Sequence, residues 1–149
     1  MSKQDSLSSI LDNIKPDVVA LNELKLKFSG KLREFFKERG YQILCRISGG
    51  IAIAVSDKFQ LLNVTSSHNT NILSGLIPNL NIRIIVCYGP QEKELKENRE
   101  AFFDELSTEV QRATDSGNNI IILGDLNAKL EKGEGEIRYI PVSQWGAAS

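Results

Sequence analysis

The sequence predicts an α/β layered sandwich of the α+β kind, with mixed, mostly antiparallel sheets covered by helices. Three observations carry this prediction. Residues 41–88 hold five strand-length runs, apolar or alternating, joined by short polar links. Links that short favour antiparallel neighbours, because a parallel crossover needs about a dozen residues or more. Residues 93–114 place apolar side chains at helical spacing, and the run Asn119-Ile-Ile-Ile-Leu123 that follows has the pattern of a strand buried on both faces.

The elements follow in order. Leu7, Ile10, Leu11 and Ile14 fall on one helical face, so residues 6–14 read as a short helix, capped by Asp5 or Ser6 and stopped before Pro16. Residues 17–21 are rich in β-branched side chains and read as a buried strand. Leu32, Phe35 and Phe36 define a second short helix over 32–39, with Gly40 as its stop. Strands are predicted at 41–46, 50–56, 60–65, 72–77 and 82–88. In the long helix, Leu95, Phe102, Leu106, Val110 and Ala113 form the apolar stripe, while Glu92, Lys96, Glu100 and Glu109 face water. Residues 131–149 read as a loop-like tail.

With 149 residues the chain has room for one compact domain. Its composition, 41% hydrophobic and 25% charged, is that of a folded soluble protein rather than a disordered one. No apolar run approaches the roughly 20 residues that span a bilayer, and the polar N-terminus lacks a signal-peptide core. No membrane partner is expected. The net charge of −1 removes any bulk electrostatic case for coating nucleic acid, so a nuclease would rely on a local basic face and metal ions. Cys45 and Cys87 lie inside apolar runs, where a thiol is a small buried hydrophobe. An unbridged pair in a reducing intracellular setting, cytoplasmic or nuclear, is the expectation.

Three predicted strands end in groups that could do chemistry. Asn22-Glu23 follows the first, and a carboxylate leaving a buried strand could hold a hard cation such as Mg²⁺. A solvated glutamate opening a loop is the alternative. Tyr88-Gly89-Pro90 follows the fifth strand of the 41–88 region. Its phenol could donate to a phosphate oxygen while the glycine lets backbone approach a ligand. A half-buried tyrosine before a plain turn would look the same. Gly124-Asp125-Leu126-Asn127 follows the last strand, and on an extended segment Asp125 and Asn127 face the same way. Together they could hold an attacking water and a phosphate oxygen; a polar turn closing the strand is the competing reading.

These segments, in this order, resemble the endonuclease/exonuclease/phosphatase superfamily. The likeness rests on Lys15-Pro-Asp-Val-Val-Ala-Leu-Asn-Glu-Leu-Lys-Leu26, Gly49-Gly-Ile-Ala-Ile-Ala-Val55, Tyr88-Gly-Pro90 and Ile121-Ile-Leu-Gly-Asp-Leu-Asn-Ala128. It covers about residues 8–130, and the Asn22-Glu23 and Tyr-Gly-Pro-Gln forms look most like endonucleases of non-LTR retrotransposons. The resemblance implies a divalent-metal phosphodiesterase with DNA as substrate. Glu23 would bind the metal, Mg²⁺ or alternatively Mn²⁺, and Tyr88 would contact the scissile phosphate. Asp125 would orient or deprotonate the nucleophilic water, and Asn127 would help bind the phosphate.

The departures shape the expectation too. The family's opening strand with its asparagine and its closing Ser-Asp-His segment have no counterpart here, so 1–149 is expected to be one partial domain, incomplete relative to the family fold. Activity would then be weak or nil, and open sheet edges would invite pairing with a second copy. His68 is the sole histidine and precedes Gly124-Asp125, the wrong chain order for that segment, so it reads as a loop residue. A non-catalytic interaction module on the same scaffold, or a phosphatase of the same superfamily, are the other readings. A phosphatase built on several metal-ligating histidines is not expected, since the sequence has one histidine.

Overall fold

The computed structural model describes residues 3–22, 30–46, 50–67, 71–91 and 93–127. Val18–Leu21 (β1), Tyr41–Arg46 (β2) and Ile51–Ser56 (β3) form an antiparallel sheet in the order β1-β3-β2. Leu62–Ser66 (β4), Ile72–Ile77 (β5), Ile82–Tyr88 (β6) and Asn119–Asp125 (β7) form a second, in the order β4-β5-β6-β7. Helices Lys3–Asn13 (α1) and Gly30–Glu38 (α2) lie on the first sheet, and Lys96–Asp115 (α3) lies on the second. The predicted layered α/β fold is the observed one.

Alternation along the strands builds three apolar layers. In β3, Ala52 and Ala54 meet Phe35, Phe36 and Leu11 of the helices. The intervening Ile51, Ile53 and Val55 meet Leu73, Ile84 and Val86 across the gap between sheets. On the far side Ile85 and Cys87 pack on Phe102 and Leu106 of α3. Because β3 is covered on both faces, all six of its residues are buried. Gly40 and Gly117, at φ +80° and +75°, end α2 and α3 in the left-handed region.

The short links behave as expected at β2–β3, β4–β5 and β5–β6, all antiparallel pairs. The link after β3 does not. It carries the chain from one sheet to the other, because β3 already has a partner on each edge in β1 and β2. α3 supplies the long crossover that lets β7 run parallel to β6, from Ile82↔Asn119 to Tyr88↔Asp125.

Three readings of apolarity need correction. β7 is not buried on both faces: it borders its sheet among the described residues, and Ile121 is 42% exposed. Leu95 is not in the stripe of α3 but precedes the helix as its N-cap, 68% exposed. Glu109 does not face water freely. It accepts hydrogen bonds from Thr65 and Arg112, and its side chain is 14% exposed.

Candidate active site

All the strand ends singled out from sequence fall at one end of the sandwich. β1 and β2 both run antiparallel to β3, so Leu21 and Arg46 lie beside Ala52 and Ile51 at its start. In the other sheet β6 and β7 run parallel and finish together, with Tyr88 opposite Asp125. Tyr88 and Leu123 pack in the layer between the sheets, so alternation sends Asp125, two residues beyond Leu123, towards that same layer. The phenol and the carboxylate thus stand at the mouth of the inter-sheet space.

Two glycines make this junction possible. A Cβ on Gly124, at φ +125°, would lie 1.9 Å from the Cys87 carbonyl oxygen; one on Gly89 would lie 2.1 Å from that of Leu126. Backbone therefore packs on backbone where β6 and β7 end. The Gly89 N–H donates to the Asp125 carbonyl at 2.7 Å, and Asn127 Nδ2 donates to the Gly89 carbonyl at 2.7 Å. The sequence assigned Gly89 to the approach of a ligand; what approaches is the chain itself, at Leu126.

Asp125 and Asn127 are brought together by a turn, not by extended alternation. Asn127 has φ +49°, and its N–H donates to Asp125 Oδ1 at 2.9 Å. That is an Asx turn, which asparagine tolerates better than most residues because its short amide suits the left-handed region. The arrangement leaves Asp125 Oδ2 able to accept from water. Nδ2 carries two hydrogens, and Gly89 takes one.

Burial pushes the thiol of Cys87 up to about 12, and the neighbouring Asp125 carboxylate pushes the same way. Cys87 is thus a packing residue under the site rather than a nucleophile. Cys45 and Cys87 are both free, as expected.

Beside Tyr88 a cleft of ≈ 350 Å³ opens between the end of β6 and the first turns of α3. Asn71, Gln91, Glu94 and Asn98 supply its polar groups, with Pro90 and Phe102 as apolar wall. Asn71, Glu94 and Asn98 were missed from sequence. Gln91 and Asn98 gave a weak signal, polar amides just beyond Tyr88-Gly89-Pro90, but Asn71 enters only through strand pairing.

Glu23 and His68, named from sequence, lie outside the described residues. Among the described residues no cluster of three or more His, Cys, Asp or Glu could hold a metal alone. The donors present, Asp125 and the amides around it, are oxygen ligands that suit a hard cation such as Mg²⁺ rather than zinc.

The sequence matches the Endonuclease/Exonuclease/phosphatase family over residues 2–141. The chain belongs to that family. Solved structures agree on the fold. An AP endonuclease from Archaeoglobus fulgidus superposes with a TM-score of 0.67 at 20% identity, over 84% of this chain and 52% of that one. A 3'-5' exonuclease, NExo, from Neisseria meningitidis gives 0.68 at 18%, over 83% and 52%. Truncated Caenorhabditis elegans TDP2 gives 0.65 at 20%, over 93% and 59%. The chain thus spans about half the length of the structures it resembles. No curated protein matches it in sequence. Membership places it in a superfamily of metal-dependent phosphodiesterases and nucleases. Among the described residues no helix is long and apolar enough to cross a membrane.

Proposed function

We propose that this chain is the phosphate-handling core of a divalent-metal-dependent phosphodiester hydrolase acting on DNA, of the retroelement endonuclease type. One observation carries the reading: Tyr88 and Asp125 are register partners at the mouth of the sandwich, and Asn127 is clamped beside them. Substrate class leans on the structures of similar fold, which are named as an AP endonuclease and a 3'-5' exonuclease.

In this reading the Tyr88 hydroxyl donates to a non-bridging phosphate oxygen. The second Nδ2 hydrogen of Asn127 donates to another. Asp125 accepts a hydrogen bond from the attacking water through Oδ2, orienting it and taking its proton as the new P–O bond forms and the P–O bond to the leaving sugar oxygen breaks, that oxygen taking a proton from solvent water. Glu23 would hold the Mg²⁺, or Mn²⁺ in its place, which stabilises charge on the phosphate and leaving oxygens. Turnover by residues 1–149 alone is expected to be slow, because the sole histidine, His68, precedes the Gly124-Asp125 segment. The same proposal places the protein in a reducing compartment, cytoplasmic or nuclear, which the two free thiols support.

The test is cleavage of labelled DNA duplexes, intact and with an abasic site, in Mg²⁺, Mn²⁺ or EDTA. Metal-dependent cleavage that Asp125→Ala lowers by roughly 100-fold or more supports the reading. Equal rates for the chain and the variant would remove the catalytic claim and leave the family membership standing.

One observation favours a second reading, an interaction module that pairs through its sheet edges. β4 has a register shift between Leu62 and Thr65, with Asn63 at φ +48°, and β2 ends in Arg46, devices that discourage strand addition. β1 is apolar throughout and β7 is apolar from Ile120 to Leu123, and the two contact each other on one flank. Size exclusion with light scattering separates the readings: a stable dimer without any Mg²⁺-dependent thermal shift favours the module.

A further inference from the structure

No step of the hydrolysis uses the cleft beside Tyr88, and its lining is the wrong kind for a second phosphate. Among the described residues around it there is no lysine or arginine, and Glu94 supplies the one formal charge. A phosphate would be repelled there. What the cleft offers instead is a few directional polar groups beside an apolar wall of Pro90 and Phe102. Asn71 is held in place: its backbone carbonyl accepts the Tyr88 N–H at 2.9 Å, and its Oδ1 accepts from Arg46 Nη1 at 2.5 Å. With that oxygen engaged, the Asn71 amide serves the cleft as a donor, through Nδ2. Glu94 comes from the turn before α3, where its N–H donates to the Gln91 carbonyl at 2.9 Å. Its carboxylate only accepts.

We propose that this cleft is a base-reading pocket, which takes an unstacked guanine of the strand whose phosphate lies at Tyr88, Asp125 and Asn127. The inference rests on the nuclease reading above and adds a sequence preference to it. Three arguments support it. The volume, ≈ 350 Å³, is at the small end of ligand pockets, which run from about 300 to 1,000 Å³, so it suits one planar ring system and not a duplex. The base is the neutral, flat part of a nucleotide, and an apolar wall with convergent polar groups is what reads a base outside its stack. Guanine also matches the polarity of the two groups. Its N1–H and N2–H are adjacent donors that a carboxylate can accept together, and its O6 accepts from an amide. Adenine and cytosine offer the carboxylate an amino group alone, and thymine offers a single ring N–H.

The experiment is fluorescence anisotropy with four labelled DNA single strands in EDTA, all thymine except for one central dG, dA, dC or dT. The unaltered chain should bind the dG strand roughly tenfold more tightly than the all-thymine strand, with dA and dC between them. Glu94→Ala should shrink that preference to within about twofold while binding the all-thymine strand at least as tightly, because a negative charge has been removed from the path of a polyanion. A residue that merely supported the fold would lower all four affinities together, and that outcome would overturn the proposal. So would a dG preference that survives in Glu94→Ala. Displacement of the labelled dG strand by dGMP as readily as by the unlabelled strand would assign the cleft to a free nucleotide and overturn the strand-borne reading. Equal affinities for the four strands would end the base-reading proposal and leave the nuclease reading standing. If the unaltered chain binds none of them, both fall.

Discussion

At the scale of single residues the junction of β6 and β7 depends on contacts too close for any side chain. Gly89→Ala would press a methyl against the Leu126 carbonyl. Backbone must move there, so we expect a loss of about 1–3 kcal/mol, read as a lowered urea midpoint. Function should suffer as well, since Gly89 carries both the N–H bonded to Asp125 and the carbonyl bonded to Asn127. Cys87 gives a pH signature. Its thiol rises from 9.0 to about 12 through burial and the nearby Asp125 charge, so the folded state retains a proton that the unfolded state releases. The associated stability is complete below pH 9.0 and disappears as pH climbs towards about 12. Urea unfolding across that window should show the unaltered chain falling faster than Cys87→Ala; parallel curves would contradict the assignment. Asp125 and Asn127 were legible as a pair from sequence. Their Asx turn was not, because a left-handed asparagine leaves no periodic trace.

At the scale of elements, strand positions were legible because β-branched runs and turn residues alternate so regularly between 41 and 88. Which sheet each strand joins was not. Loop length alone cannot show that the edges of β3 are already filled, and that is what sends β4 to the other layer. α3 was visible through Phe102, Leu106 and Ala113, all buried. Phe102 belongs to the cluster that holds α3 on Ile72, Ile85 and Cys87, and it also walls the cleft beside Tyr88. Phe102→Ala should therefore cost about 3–5 kcal/mol and weaken DNA binding as the cleft loosens. A shift below about 1 kcal/mol in chemical denaturation would mean that α3 is not held by this cluster. Glu109 shows the limit of helical periodicity: a carboxylate one position off the stripe can still be covered when a strand residue, here Thr65, bonds to it.

At the scale of the whole molecule, family membership was readable because four motifs stand in order along the chain, and the fold brings the ends of their strands to one mouth. What sequence could not reveal is the asymmetry of the two flanks. The run Ile120-Ile121-Ile122 looks like the centre of a sheet, yet among the described residues β7 borders it with Ile121 exposed. Ile121→Lys should leave thermal stability within about 0.5 kcal/mol while suppressing any concentration-dependent self-association seen by light scattering. Retained association would show that copies meet elsewhere. Turnover depends on the completeness of the site, whereas metal binding asks directly whether the converging strand ends form a phosphodiester centre. The decisive measurement is therefore a Mn²⁺ titration of the chain followed by electron paramagnetic resonance, alongside Glu23→Gln and Asp125→Asn. We expect one bound ion, weakened about 10–100-fold in Glu23→Gln and less in Asp125→Asn. No bound ion, or equal binding by all three proteins, would contradict it.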